Sequence, residues 1–507
     1  MRLIRLSRSE SSEEWEMTDQ TANQSVSRTW SVASLAMLLC TCVTLGDVKL
    51  PAIISDNMVL QSGDANIWGW AAPGEEVVVQ LGPDPKNRPN QIISRSTQAD
   101  GDGCWSVSLT PATSSLFGGQ SMNLVVTGKN EQIVQNVLIG EVWICSGQSN
   151  MEWPVDRSKR AQQIQQMGNH PQIRMFKMAH VSTPEKKDDV SGHWQVSTPE
   201  TVQKFSAVGF VFADELHRSL GEPVGMISTN WGGSAAEAWM SRERLEQNQS
   251  LTALVDRTDA TPPKPNHRPA HLYNGMIHPI LGYGIRGAIW YQGEANVGRA
   301  AQYGIVFPEM IKDWRANFNS GDFPFYFVQI APYNYNAPEA AAELRESQDK
   351  AQQLKKTGMV VTMDVGNPGD IHPQDKTTVG KRLAAWALAN DYGRSVPFKS
   401  PNYKVGSLAL EGAEAFVKFE NTIGTLSTTD GKAPSHFTIA GPDMVFHSAV
   451  AEIRGNTVMI TSKDVKQPVA VRYAWSDTAQ PNLVGGSGLP ATPFRTDQWP
   501  QVTAGQH

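Results

Sequence analysis

Short apolar runs and longer amphipathic stretches alternate between residues 137 and 390. The amphipathic stretches carry apolar residues at helical spacing, as Val208, Val211 and Leu216 do. Such alternation predicts an α/β domain with a doubly wound parallel sheet. We expect the five strands of this sheet at Val137–Ile144, Val224–Ile227, Gly287–Tyr291, Phe323–Ile330 and Met359–Met363.

The pattern on either side of this region is different. Residues 47–136 and 395–507 hold short β-rich runs separated by clusters of Gly, Pro, Asn and Asp, which is typical of sandwich-like β-domains. We therefore predict a β-sandwich-like domain at 47–136, an α/β domain at 137–394 and a C-terminal β-domain at 395–507. A polar, irregular stretch at about 155–201 is interpreted as an insertion in the α/β domain.

Residues 1–46 contain a candidate export signal. Ser31–Leu45 is an uncharged run of 15 residues, which is short for a membrane span and typical of the apolar region of a secretory signal. Arg28 supplies a positive flank, and small residues precede Asp47. Because acidic residues lie upstream, Met17 is an alternative start to Met1. We expect an exported protein, periplasmic or extracellular, with no membrane span after cleavage.

Composition narrows the choice of partners. The formal net charge is -6 and charged residues of both signs make up 19% of the chain, so no surface for nucleic acid is predicted. Four cysteines are too few for a disulfide-built scaffold, and Cys40 and Cys42 fall in the signal segment. Whether Cys104 and Cys145 pair stays open, as does the oligomeric state.

Polar residues follow the strands at one edge of the predicted sheet. Ligands of parallel sheets bind beyond the carboxyl ends of the strands. Ser149 follows the first strand after the tight turn Ser146-Gly147, where a substrate can reach its hydroxyl, although a helix-capping serine would give the same pattern. The other residues at this edge are Gly232, Gly233, Gln292, Glu294, Asn296, Asp364, Asp370 and His372.

These residue types suit nucleophilic catalysis. A serine hydroxyl needs a base to take its proton, and His372, in the loop past the last strand, is a better candidate than His278 in an apolar segment. A third group must orient the imidazole, and the spacing leaves Glu294, Asp370 and Asp364 open. No catalytic metal is predicted.

An oxyanion needs hydrogen-bond donors held in place. The backbone N–H groups of Ser149 and of Gly232 or Gly233 are candidates. The side-chain amides of Gln292 and Asn296 are candidates as well, and turn formation after the strand is the alternative role for both.

Five motifs in order along the chain carry a family resemblance. They are GEVWICSGQSNMEWP at 140–154, NWGGSAAEAW at 230–239, YNGM at 273–276, IWYQGEAN at 289–296 and IHP at 371–373. They resemble the sialate O-acetylesterases, which belong to the SGNH/GDSL hydrolases. The resemblance implies a serine esterase that removes O-acetyl groups from carbohydrate without a cofactor, with Ser149 as nucleophile and His372 as base.

The sequence departs from the SGNH pattern at the acid. Many of these enzymes have Asp three residues before the histidine, where this chain has Gly369, so Asp370 is one step away. Related acetylesterases can use the glutamate of a Gln-Gly-Glu block, which favours Glu294. Because Met151 replaces the second glycine of a G-x-S-x-G elbow, an α/β-hydrolase is disfavoured.

The prediction is therefore a secreted carbohydrate O-acetylesterase similar to sialate 9-O-acetylesterases. An acetylxylan or other polysaccharide acetylesterase is the alternative substrate class, and a non-catalytic carbohydrate-binding protein is the alternative from a different functional class. Tryptophans near the strand ends suit a sugar ring, since its faces are apolar; they are Trp153, Trp231, Trp239 and Trp290.

Overall fold

The computed structural model describes residues 47–86, 92–110, 112–113, 119–255 and 264–506. The predicted signal segment Ser31–Leu45 lies outside the described residues. In the described part of the chain, no helix combines the length and the apolar character needed to span a bilayer.

A parallel sheet lies at the centre of the described chain. Its strands, numbered in chain order, are β1 (Glu131–Gly147), β2 (Ile173–Lys177), β3 (Val224–Asn230), β4 (Gly287–Tyr291), β5 (Phe325–Val328) and β6 (Thr357–Val360). They pair in the order β6-β5-β4-β1-β3-β2, every neighbouring pair is parallel, and antiparallel Trp194–Val196 extends the β2 edge. The prediction of an α/β fold with a parallel core is confirmed.

The predicted number of strands was wrong, because the parallel run β6-β5-β4-β1-β3-β2 in the described residues has six strands. The additional strand, β2, lies in the stretch interpreted as an insertion. Its Arg174 is buried, and the guanidinium donates to the carbonyl oxygens of Pro171 (2.7 Å) and Asn136 (3.3 Å). A buried charge that is satisfied by backbone acceptors interrupts the apolar pattern that marks a buried strand.

Both faces of the sheet are covered, because side chains along each strand alternate between two hydrophobic layers. In β1, Trp143 and Cys145 belong to one layer and Val142 and Ile144 to the other. The helices are α1 (Ser149–Glu152), α2 (Ala207–Leu220), α3 (Ala300–Phe318), α4 (Ala340–Lys350) and α5 (Lys376–Asn390), with shorter helices at Ala161–Gln166, Arg242–Gln247 and Thr252–Val255. Helices α2 and α5 complete the first layer, and α3 and α4 complete the second.

Local signals set the ends of the helices that cover the first layer. The Ser206 hydroxyl accepts the backbone N–H of Gly209 (3.0 Å) at the start of α2, and Gly221, with φ of +74°, ends the helix. At the start of α5, Asp375 accepts the N–H of Thr378 (3.1 Å).

The strands before the central sheet are Val59–Gln61, Asn66–Trp70, Glu76–Gly82, Ile93–Gln98, Cys104–Ser108 and Met122–Thr127. The first of them pairs in parallel with β1, and the last pairs antiparallel with the first part of β1. β1 thus continues through residues 136 and 137, and it pairs both with strands of the N-terminal β region and with strands of the central sheet. Cys104 is exposed and Cys145 is buried in β1, and neither forms a disulfide.

The strands after α5 pair only antiparallel within the described residues. Arg495 joins this region to α4 through an ion pair with Glu346 (2.9 Å). The strands are Asn402–Tyr403, Ala409–Glu411, Glu414–Glu420, Ser427–Thr428, Phe437–Ala440, Phe446–Ser448, Val450–Arg454, Thr457–Thr461, Ala470–Tyr473, Leu483–Val484 and Phe494–Arg495.

Candidate active site

The turn that carries Ser149 is held against the end of β4. β1 ends at Gly147, whose φ of +136° favours glycine, and a Cβ there would lie 2.2 Å from the carbonyl oxygen of Tyr291. Gln148 donates its backbone N–H to the same oxygen (2.9 Å). Ser149 then opens α1, half-buried, at the carboxyl end of the sheet.

His372 lies beside the Ser149 hydroxyl. Its Nε2 is 2.9 Å from Ser149 Oγ, although the two residues are 223 positions apart. The imidazole stacks on Trp153, with ring centroids 4.8 Å apart. The backbone N–H of His372 donates to Asp370 Oδ1 (2.9 Å), which orders the loop. The structure therefore brings together the two side chains that the sequence predicts as nucleophile and base.

The surroundings of His372 favour a neutral imidazole. Burial is the main cause that lowers the pKa of His372 from its ordinary value, and the positive charge of Lys376 contributes. The Asp370 carboxylate acts in the opposite direction. A neutral imidazole next to a hydroxyl is the form that a general base requires.

The three candidate acids occupy different environments. Asp370 Oδ1 lies 3.7 Å from His372 Nδ1, and its side chain is 41% exposed. Glu294 is buried, its Oε1 accepts a hydrogen bond from Asn150 Nδ2 (2.5 Å), and burial raises its pKa. Asp364 forms an ion pair with Arg382 (2.6 Å). Of the three carboxylates, Asp370 is the one that faces the imidazole.

The two candidate glycines lie on the loop after β3. A Cβ on Gly232 would lie 3.5 Å from that of Ser149, so this backbone passes next to the nucleophile. The Gly232 N–H donates to Glu152 Oε2 (2.6 Å), and Glu152 Oε1 pairs with His180 Nε2 (3.1 Å). Gly233, with φ of +71°, accepts a hydrogen bond from His267 Nε2 at its carbonyl oxygen (2.7 Å).

The two candidate amides bind each other inside the protein. Gln292 Nε2 donates to Asn296 Oδ1 (2.7 Å) and to the carbonyl oxygen of Ser234 (3.1 Å). Asn296 Nδ2 donates to Glu237 Oε2 (2.9 Å). Both amides are buried, and these contacts join the end of β4 to the loop after β3.

Sequence reasoning missed two buried side chains at the site, Asn150 and Lys376. Asn150 Nδ2 donates to Glu294 and to the carbonyl oxygen of Ile371 (3.0 Å), and Lys376 Nζ donates to Asn150 Oδ1. The position of Asn150 directly after the predicted nucleophile could have indicated that its side chain lies at the site. A lysine in the first turn of a helix is usually exposed, so no pattern indicated the burial of Lys376.

The groups that meet at Ser149 suit acyl transfer, since a hydroxyl, an imidazole and backbone N–H groups lie together there. Within the residues that the structure describes, no three or more His, Cys, Asp or Glu side chains are grouped to hold a metal ion.

Similarity to known proteins agrees with this arrangement. Residues 139–389 match the family described as carbohydrate esterase, sialic acid-specific acetylesterase. Over 512 residues the chain is 28% identical to a sialate O-acetylesterase of Pongo abelii, which covers 89% of this chain and 94% of the relative. Its identity to the Homo sapiens sialate O-acetylesterase is 29% over 403 residues, covering 72% of this chain and 75% of the relative.

A solved structure is similar over most of the chain. A carbohydrate acetylesterase from Xanthomonas citri is 37% identical to this chain, with a TM-score of 0.80. The match covers 89% of this chain and 100% of that chain. The protein therefore belongs to the carbohydrate acetylesterases.

Proposed function

We propose that this carbohydrate O-acetylesterase uses Ser149 as nucleophile and His372 as general base. The observation that carries the proposal is the contact of 2.9 Å between His372 Nε2 and Ser149 Oγ. As Oγ attacks the acetyl carbonyl carbon, His372 takes the hydroxyl proton. The tetrahedral intermediate then expels the sugar oxygen, which receives this proton. A water molecule activated by His372 hydrolyses the acetyl-serine and releases acetate.

We assign the acid role to Asp370 and the oxyanion donors to the backbone. Asp370 lies nearest to His372 Nδ1, and a shift of less than about 1 Å would bring it to hydrogen-bond distance. Gly232 is adjacent to Ser149, so its N–H and that of Ser149 suit the oxyanion. Since the Gly232 N–H donates to Glu152, the carboxylate must move when an acyl oxygen binds there. We assign Gln292 and Asn296 to support of the loop.

The substrate that we propose is an O-acetylated sialic acid, with an acetylated polysaccharide such as acetylxylan as the alternative. The named relatives support the first, since they are sialate O-acetylesterases. Trp153 and Trp231 are half-buried beside the site and stack on His372 and His180, respectively. Aromatic rings next to polar groups suit a sugar, whose faces are apolar and whose rim carries hydroxyls.

Acetate release from acetylated sialic acid, acetylated xylan and an aryl acetate tests both parts of this proposal. Ser149→Ala should abolish release from all three substrates and leave the fold intact. A serine-directed phosphonate should label the wild-type protein and not the variant. Glycan binding without acetate release or labelling would instead favour the non-catalytic carbohydrate-binding protein.

We also retain two proposals that rest on the sequence. The β regions at 47–136 and 395–507 are proposed to form sandwich-like domains that flank an SGNH-type core at 137–394, and the antiparallel pairings in both regions support this division. Export is proposed from Ser31–Leu45. Expression with this segment intact, followed by fractionation and N-terminal sequencing, tests the second proposal.

A further inference from the structure

Asn150 joins the nucleophile turn to the loop of the general base. Its Nδ2 donates to Glu294 Oε1 (2.5 Å), after β4, and to the carbonyl oxygen of Ile371 (3.0 Å), which directly precedes His372. Its Oδ1 accepts from Lys376 Nζ in the first turn of α5. The side chain of Asn150 is fully buried, and these hydrogen bonds connect three parts of the chain that are remote in sequence.

Lys376 provides the charge in this network. Its exposed fraction is 0%, and its ammonium lies 5.4 Å from the ring centroid of Tyr291 and 5.6 Å from that of Trp153. Burial lowers the pKa of Lys376 to about 7, whereas the carboxylates of Glu294 and Asp370 act in the opposite direction. A buried ammonium is costly unless it is hydrogen-bonded and compensated, and Asn150 and Glu294 serve these purposes.

We propose that Lys376 is a positioning residue for the esterase reaction, which it serves by holding Asn150 between the Ser149 turn and the His372 loop. This inference rests on the proposed function. Lys376 also acts on His372 through its charge, because the charged groups that face the imidazole are Lys376 and Asp370. Loss of the ammonium should therefore loosen the alignment of Oγ with Nε2 and make protonation of His372 easier.

The test compares Lys376→Met with Lys381→Met, a matched control on the same helix. Lys381 is 55% exposed and pairs with Glu215 on the surface. Lys376→Met should lower kcat between about tenfold and hundredfold and leave KM within about twofold, because alignment and not substrate contact is lost. The acid limb of its pH profile of kcat/KM should move to higher pH, because the positive charge that disfavours protonation of His372 is gone. If the two variants had equal kcat values and equal midpoints of the acid limb, the inference would be overturned.

The double variant Lys376→Met/Glu294→Gln separates alignment from charge compensation. It removes the uncompensated carboxylate and keeps an acceptor for Asn150 Nδ2, so we expect a higher Tm than for Lys376→Met alone. Its kcat should stay low and its acid limb should stay shifted. Recovery of kcat together with Tm would show that Lys376 only neutralises Glu294, and would overturn the positioning role.

The rate of acetate release by Ser149→Ala on the same substrate distinguishes failure of the proposed function from failure of the role of Lys376. Wild-type rates in Ser149→Ala would remove the proposed function, and this inference with it. Loss of acetate release in Ser149→Ala, with Lys376→Met equal to the control, would overturn only the role of Lys376.

Discussion

Replacement of Gly147 by alanine tests whether the end of β1 positions the nucleophile. A Cβ at this position would lie 2.2 Å from the carbonyl oxygen and 2.7 Å from the carbonyl carbon of Tyr291. Both atoms are backbone atoms inside the sheet and cannot rotate away. Steric overlap and the unfavourable φ of +136° each cost about 1–3 kcal/mol, so the free energy of unfolding should fall by about 2–6 kcal/mol.

Gly221→Ala is the matched control. Gly221 also has positive φ, at +74°, but a Cβ there would meet no atom within 4 Å. This variant should lose only about 1–2 kcal/mol and keep its esterase activity. Urea denaturation and kcat for aryl acetate hydrolysis measure both effects. If Gly147→Ala lost no more stability than Gly221→Ala and kept its kcat, the argument from close packing against β4 would be refuted.

Three further predictions concern the base, the carboxylate beside it and the contact between the α/β and C-terminal regions. The acid limb of kcat/KM should have its midpoint below about 6.5, because a base with a lowered pKa stays neutral to lower pH. Asp370→Asn should move this limb further down and lower kcat by less than about tenfold, since the carboxylate is exposed; an upward shift would contradict this. Arg345→Met should lower the unfolding free energy by about 3 kcal/mol, because the buried guanidinium donates to carbonyl oxygens of Ile330, Ala331 and Ser476. Urea denaturation measures this loss, and an unchanged midpoint would contradict it.

The central sheet was predictable because its strands are buried on both faces. Such strands appear in the sequence as continuous apolar runs, and the polar residues directly after them must lie at one edge. Ser149 and His372 were found in this way, from strands at opposite ends of the α/β region. β2 was missed because Arg174 breaks its apolar run and is satisfied by backbone oxygens, which only the fold supplies.

The directions of side chains after the strand ends were not predictable. Gln292 and Asn296 follow β4 just as Glu294 does, but their amides bind each other. Hydrophobic periodicity applies to regular elements and carries no information on where a loop side chain points. Lys376, in the first turn of α5, was not predictable for a different reason, since its ammonium lies against the rings of Tyr291 and Trp153 from other elements.

Detection of the acetyl-enzyme tests the central claim most directly. Wild-type protein mixed with an aryl acetate and quenched in acid during turnover should carry one acetyl group, and peptide mass spectrometry should place it on Ser149. His372→Ala should form the adduct far more slowly, because the proton acceptor 2.9 Å from Oγ is gone. An acetyl group on another residue, or normal acetate release without any adduct at Ser149, would contradict the account.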